Sequence, residues 1–392
     1  MDLNTDNEKE VLCEKIINDI HAVFLKDPDL STFEIIPTSL NRNKSPVIHA
    51  EHHLGLESWC MKHVYHHAHK TIIGYRRQHQ QRYLQHSDVL LKYLNVALLI
   101  NPDVTTFWHI RRQMVQTNHL EINCEFKFSA LTLSKKPKSS EGFSYRRWLY
   151  SFQSHDAIDW PSEFGICERC ADRSANNYHA WTHRMWVLQN DRDLICSELM
   201  MTEKFMRKHI SDYSSYHYRQ TLIQHAYELC YYETDEMEHL HNLKDLISYY
   251  MADDLEILST TDVLEIMLPG VDKAAIGEPR LSSFLYCCNL AAHDIRLCDD
   301  QKNMYNERES FENHRRASLR FIVENCVRLL LGELPGLYLA PRTYAQLQEF
   351  NAALQKFDYA SYTFLAALKR SESMLGENHR KWCKIFLGFN YA

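Results

Sequence analysis

An aromatic residue, then Arg three positions on, then an apolar residue seven positions on, is the pattern that most restricts how this chain can fold. It occurs as Trp108/Arg111/Val115, Phe143/Arg146/Tyr150, Trp181/Arg184/Leu188 and Tyr216/Arg219/Ile223, at steps of 35, 38 and 35 residues. A fifth, decayed copy is Glu312/Arg315/Leu319, with Phe311 beside the lost aromatic position. Positions i, i+3 and i+7 share one face of a helix, so the three residues form a single stripe. A period near 35 residues is what stacked helical hairpins produce, because each pair needs two helices and two turns. The spacing therefore predicts an all-α chain, a solenoid of stacked hairpins.

Local signals agree. Four residues before the aromatic stand Ser139, Asn177 and Asp212, whose side chains can accept the orphan N–H groups of a helix start. The first copy has Val104 there, but Asn101-Pro102-Asp103 supplies a turn just upstream. Between the marked helices lie other periodic stretches, with Leu90, Leu94, Ala97 and Leu98 in one and Leu199, Phe205 and Met206 in another. Three regions follow: an N-terminal extension 1–86 of two or three helices with a His-rich middle, repeats over 87–325, and closing helices over 326–392. An irregular insertion is expected at about 252–280, where Pro269-Gly270 and Gly277-Glu278-Pro279 stand.

Composition narrows the function. The chain has 392 residues, only 10 Gly and 10 Pro, and 45% hydrophobic residues, which suits a folded helical protein rather than a disordered one. Its net charge of -7 gives no reason to expect nucleic-acid binding, which usually needs a basic face. No apolar run approaches the roughly 20 residues that span a bilayer. The first residues lack a secretory signal, and the 12 Cys follow no disulfide spacing; a cytoplasmic protein is expected. With Phe389-Asn390-Tyr391-Ala392 as the last residues, no prenylation box is expected.

The segment Asn177-Tyr178-His179-Ala180-Trp181-Thr182-His183-Arg184 resembles the repeat of protein prenyltransferase alpha subunits. Trp108-His109-Ile110-Arg111-Arg112 and the stretch from Pro137 to Trp148 are similar to it but looser. The resemblance covers roughly residues 85–325 and is nearest to the branch of alpha subunit repeat-containing protein 1. It implies a right-handed α-α superhelix curled around a separate β subunit that carries the zinc and the isoprenoid pocket, with no cofactor bound by this chain. For this branch it implies pairing with the β subunit of Rab geranylgeranyltransferase. The substrates it implies are cytosolic proteins, such as an already farnesylated SNARE or Rab proteins. It also places Lys138, Tyr178 and His179 at the family's contacts to the diphosphate and the substrate; where the family has a Tyr two residues after the Lys, this chain has Ser140. The same residues have plainer readings: Lys138 follows Lys135 and Lys136 in what can be a solvated turn, and Tyr178 and His179 can pack on a neighbouring hairpin.

The marked aromatic and Arg residues are expected to be structural, with Arg stacking on a ring or binding a carboxylate or helix C-terminus. His63, His66 and His67 share a helical face, with His69 nearby and His49, His52 and His53 upstream, but Val64, Tyr65 and Ile72 point to an ordinary amphipathic helix, and no metal site is expected. Cys167 and Cys170 lack a second thiol pair at zinc-finger spacing. Two other classes remain open: a tetratricopeptide-type scaffold, whose own signature does not recur here, and a regulator that shares the β subunit without contributing to chemistry.

Overall fold

The computed structural model describes residues 6–38, 45–154, 158–189 and 192–233, then 243–244, 248, 265, 267–305, 308–331, 345–352, 354–356, 358 and 374–389. The chain divides into two compact units, Met1–Asp191 and Arg192–Ala392.

In the first unit, α1 (Asp6–Lys26), α2 (Ser58–His79) and α3 (Ser87–Ile100) precede α4 (Thr105–Gln116), α5 (Ile122–Lys135), α6 (Ser140–Tyr150), α7 (Trp160–Arg173) and α8 (Tyr178–Leu188). Helices pack as sequential pairs, α5 on α6 and α7 on α8, and each marked helix touches the next, α4 on α6 and α6 on α8. The marked stripes fall on α4, α6 and α8, so the repeat is a repeat of hairpins. The expected caps are in place: Ser139 accepts from Gly142 N, and Asn177 accepts from Ala180 N, each at 3.2 Å. Val104 caps nothing with its side chain. One buried cluster runs from Cys13 through Val64, Leu94 and Trp108 to Leu149, so the N-terminal helices and the first repeats share a core.

The expectation of helices alone over residues 1–86 needs correction. Three short strands, β1 (Thr32–Ile36), β2 (Val47–Ala50) and β3 (His53–Glu57), form a sheet of order β1-β3-β2, with β1 parallel and β2 antiparallel to β3. Leu54 and Leu56 of the central strand are buried. Thr32, Ile35, Ile36, Val47 and Ile48 are β-branched and suit a pleated surface. The β2–β3 turn has Glu51 at φ 51°, a left-handed position usually held by Gly or Asn, which is why no hairpin signal stands out. The sheet docks on the repeats through Phe33 N, which donates to Ser134 Oγ on α5 at 3.0 Å.

In the second unit, α9 (Ile195–Lys208) pairs with α10 (Tyr213–Glu228), and α11 (Glu278–Tyr305) with α12 (Glu309–Leu331), followed by α13 (Met374–Phe386). Asp212 caps α10, accepting from Ser214 N at 3.0 Å and Ser215 N at 3.1 Å. Most of the expected insertion at 252–280 lies outside the described residues; its described end is a single turn at Lys273–Ile276, then α11. No described helix is long and apolar enough to cross a membrane.

Candidate functional site

The marked Arg residues join consecutive copies through shared carboxylates. On α4, Arg111 donates from Nε and Nη2 to Glu125 of α5 at 2.7 and 2.6 Å, and Tyr145 of α6 donates to the same carboxylate at 2.6 Å. On α6, Arg146 binds Glu163 of α7 from Nε at 2.8 Å and again from Nη2, and His183 of α8 meets Glu163 at 2.6 Å. The second unit repeats the arrangement. Arg219 binds Asp294, which also meets His314 at 3.1 Å. Arg315 binds Asp358 at 2.6 Å, which also meets His379 at 2.9 Å. In every case the Tyr or His directly precedes a repeat Arg, or Arg380 at the last one. The carboxylate stands 20 residues before Tyr145, His183 and His314, and 21 before His379.

All these groups are buried, so each charge must be paired. Burial works against ionisation of Glu163, yet Arg146 and His183 hold its carboxyl below the usual range. Burial lowers the pKa of His183, so it stays neutral, with Nε2–H given to Glu163 and Nδ1 left as acceptor. Further bonds fix the guanidinium planes: Arg146 Nη1 donates to Phe126 O at 2.7 Å, Arg184 Nη1 to Phe164 O at 2.8 Å, and Arg219 Nη1 to Leu199 O at 2.5 Å. Arg111 lies 3.7 Å above the Phe128 ring and Arg184 4.6 Å above Phe164. Trp108 is fully buried, its Nε1 donating to Pro102 O at 2.6 Å. Phe143, Trp181 and Tyr216 are likewise buried.

Lys138, Tyr178 and His179 have a different setting. Lys138 is exposed in the turn before α6 and has no ion pair or hydrogen bond among the described residues, whereas Lys136 of the same cluster is paired with Asp103. Tyr178 opens α8 with 61% of its surface exposed. His179 is half-buried, its ring 5.8 Å from that of Tyr178 and edge-on to it. What brings the two segments together is Asn177. While its Oδ1 caps α8, its Nδ2 donates to Pro137 O at 2.6 Å and to Cys170 O at 3.1 Å. The residue after Pro137 is Lys138 and the residue after Asn177 is Tyr178, so one buried amide joins the Lys-bearing turn to the Tyr-His helix start. Asn176, at φ 56°, takes the left-handed position that Asn tolerates. Ser140 opens α6 and is exposed.

The other sequence candidates separate. His63 and His66 of α2 are exposed, His67 meets Glu14 at 3.2 Å, and the His69 ring lies 5.4 Å from Phe107. His49 and His52 sit at the β2–β3 hairpin against Asp27, at 2.8 and 3.0 Å, and His53 Nδ1 lies 2.6 Å from Thr32 Oγ1. Cys167 and Cys170 are buried in α7, and burial pushes the Cys170 thiol up to about 12, so it is a packing residue.

Sequence reasoning missed Asp358, His379 and Cys383, three buried donors within 4.8 Å of one another. Arg315 Nη1 stands 2.6 Å from Asp358 and 3.4 Å from His379 Nε2, so a cation already occupies the position that a metal would need. Among the described residues the group is the last of the Arg–carboxylate–His links. A signal for it existed: Glu377-Asn378-His379-Arg380 repeats Glu312-Asn313-His314-Arg315.

The profile of the protein prenyltransferase alpha subunit repeat matches residues 160–191 and 195–226, the α7–α8 and α9–α10 hairpins. Protein prenyltransferase alpha subunit repeat-containing protein 1 of Homo sapiens is 30% identical over 342 residues, 80% of this chain and 78% of the human protein. Its namesake in Danio rerio is 32% identical over 246 residues, so that the match spans 56% of this chain and only 57% of the zebrafish protein. Geranylgeranyl transferase type-2 subunit alpha of Rattus norvegicus is 30% identical over 145 residues, 34% of this chain and 25% of the rat protein.

Proposed function

Because this chain belongs to the protein prenyltransferase alpha subunit repeat family, in the branch of repeat-containing protein 1, we propose that it is the alpha-type subunit of a heterodimeric protein geranylgeranyltransferase. Its partner is a β subunit of the Rab geranylgeranyltransferase type, which holds the zinc and the lipid pocket. Its substrates are Cys-bearing cytosolic proteins, such as a farnesylated SNARE or Rab proteins. The observation that carries this reading is the Asn177–Pro137 hydrogen bond of 2.6 Å, which joins the turn bearing Lys138, unpaired among the described residues, to the helix start bearing exposed Tyr178 and half-buried His179.

Transfer of an isoprenoid to a Cys sulfur breaks the C1–O bond of its diphosphate, and negative charge grows on the leaving oxygens. A cation free of protein carboxylates is suited to meet that charge, and among the described residues Lys138 has no carboxylate partner. A group fixed before the reaction stabilises such charge without reorganisation, and the capped, hydrogen-bonded turn fixes the backbone at Lys138. His179 and Tyr178 can donate hydrogen bonds to the same oxygens or to the incoming peptide.

Co-expression with such a β subunit, followed by geranylgeranyl transfer to a Cys-tailed protein, tests the proposal. The pair should transfer, the chain alone should not, and Lys138→Ala should slow the pair by about 10²-fold or more, as loss of one preorganised donor does. A chain that forms no stable complex with the β subunit would defeat the reading. One observation favours a second reading, a regulator that occupies the β subunit without chemistry: Ser140 stands where the resemblance leads one to expect a Tyr. A stable complex that transfers no lipid would favour it, whereas unchanged turnover of Lys138→Ala in an active pair would remove Lys138 from the mechanism and leave the partner in place.

A further inference from the structure

Arg147 directly follows the repeat residue Arg146 on α6 and so points to a different face. Its Nε donates to His183 Nδ1 at 3.1 Å, and its guanidinium lies 5.8 Å from the Trp186 ring. On α8, His179, His183 and Trp186 stand at i, i+4 and i+7 and share one face. Arg147 therefore lies one turn along that face from His179. One turn before Arg147 on α6, Phe143 packs its ring 5.1 Å from His183, and the turn leading into this helix bears Lys138.

Among the described residues Arg147 differs from Arg111, Arg146, Arg219 and Arg315 in having no carboxylate partner. It is half-buried, and among the described residues Nη1 and Nη2 have no acceptor. The nearby buried carboxylate, Glu163, is already shared by Arg146, Tyr150 and His183. Because His183 gives its Nε2–H to Glu163, its Nδ1 is fixed as the acceptor for Arg147 Nε. That bond orients the guanidinium and leaves its two Nη groups as a planar fork, a geometry that matches paired phosphate oxygens.

We propose that Arg147 is a further anion contact beside Lys138, Tyr178 and His179, its Nη fork taking two oxygens of a diphosphate. This rests on the reading of that site as the place where a diphosphate is met.

Calorimetric titration of the full chain with inorganic diphosphate tests the assignment. Wild type should bind, and Arg147→Gln should weaken binding by about 10- to 100-fold, the range for losing charge-assisted hydrogen bonds. Arg147→Lys, which keeps the charge and loses the fork, should fall between them. Arg112→Gln is the control: Arg112 also lies over a Trp ring, that of Trp148 at 5.7 Å, but one copy away, and its loss should leave binding unchanged. Thermal unfolding of each variant checks that the fold is intact. Absence of diphosphate binding by wild type, wild-type affinity in Arg147→Gln, or an equal loss in Arg112→Gln would overturn the inference. If Arg147→Gln binds like wild type while Lys138→Ala does not, the inference fails and the proposed function stands.

Discussion

Replacing Glu163 by Gln tests how the repeats are held together. Glu163 is 1% exposed at its side chain. It accepts from Arg146 Nε at 2.8 Å, from Tyr150 Oη at 2.6 Å and from His183 at 2.6 Å, with Arg146 Nη2 a further donor. Gln keeps the shape but removes the charge and turns an NH₂ group towards donors, leaving the Arg146 guanidinium buried without a counter-charge. Breaking a buried pair by removing one partner costs about 3–5 kcal/mol. For a unit of 191 residues, each kcal/mol lowers the melting temperature by about 2–4 °C, so the drop should be roughly 6–20 °C. Circular dichroism melts and urea titrations measure it. Because Arg146 and Glu163 neutralise each other, Arg146→Met/Glu163→Leu should cost less than Arg146→Met and Glu163→Leu added together. A cost for Glu163→Gln below about 1 kcal/mol, or strict additivity in the double variant, would refute the claim that the shared carboxylate is the link between copies.

Stability should also fall with acid. Burial lowers the pKa of His183 and His379 below their unfolded value of about 6.5, and Glu163 and Asp294 are held below theirs. In each case the unfolded chain binds more protons, so stability is complete above about pH 6.5 and declines as pH falls; urea midpoints that rise on acidification would contradict this. Trp108→Ala should cost about 3–5 kcal/mol in the same melts, since the ring is fully buried and its Nε1 holds Pro102 O. Asn177→Ala should cost about 1–2 kcal/mol through the lost cap, and hydrogen exchange at Lys138 and Ser139 should speed up because Pro137 O loses its donor; unchanged exchange would remove the link between the two segments.

How much of this was legible in the sequence depended on whether the signal was local. The marked stripes and their caps at Ser139, Asn177 and Asp212 follow from short-range spacing, and a carboxylate was one of three partners the Arg residues could have had. Which carboxylate does not: Glu125 lies 14 residues after Arg111, Glu163 lies 17 after Arg146, and Asp294 lies 75 after Arg219. The regular offset is counted backwards, about 20 residues from the Tyr or His before the Arg, because those two residues sit on the two helices of one hairpin. The β2–β3 hairpin was hidden for another reason, since Glu51 accepts a left-handed backbone that sequence rules reserve for Gly and Asn. Lys138, Tyr178 and His179 stand out by resemblance, but Asn177 as the tie between them required coordinates, because its amide reaches 40 residues back to Pro137.

The most direct test is a native mass measurement of this chain purified together with a β subunit of the Rab geranylgeranyltransferase type. The account predicts a one-to-one complex carrying a zinc ion that remains with the β subunit when the two are separated. A chain that emerges alone at every concentration tried, with the β subunit unaccompanied, would contradict it.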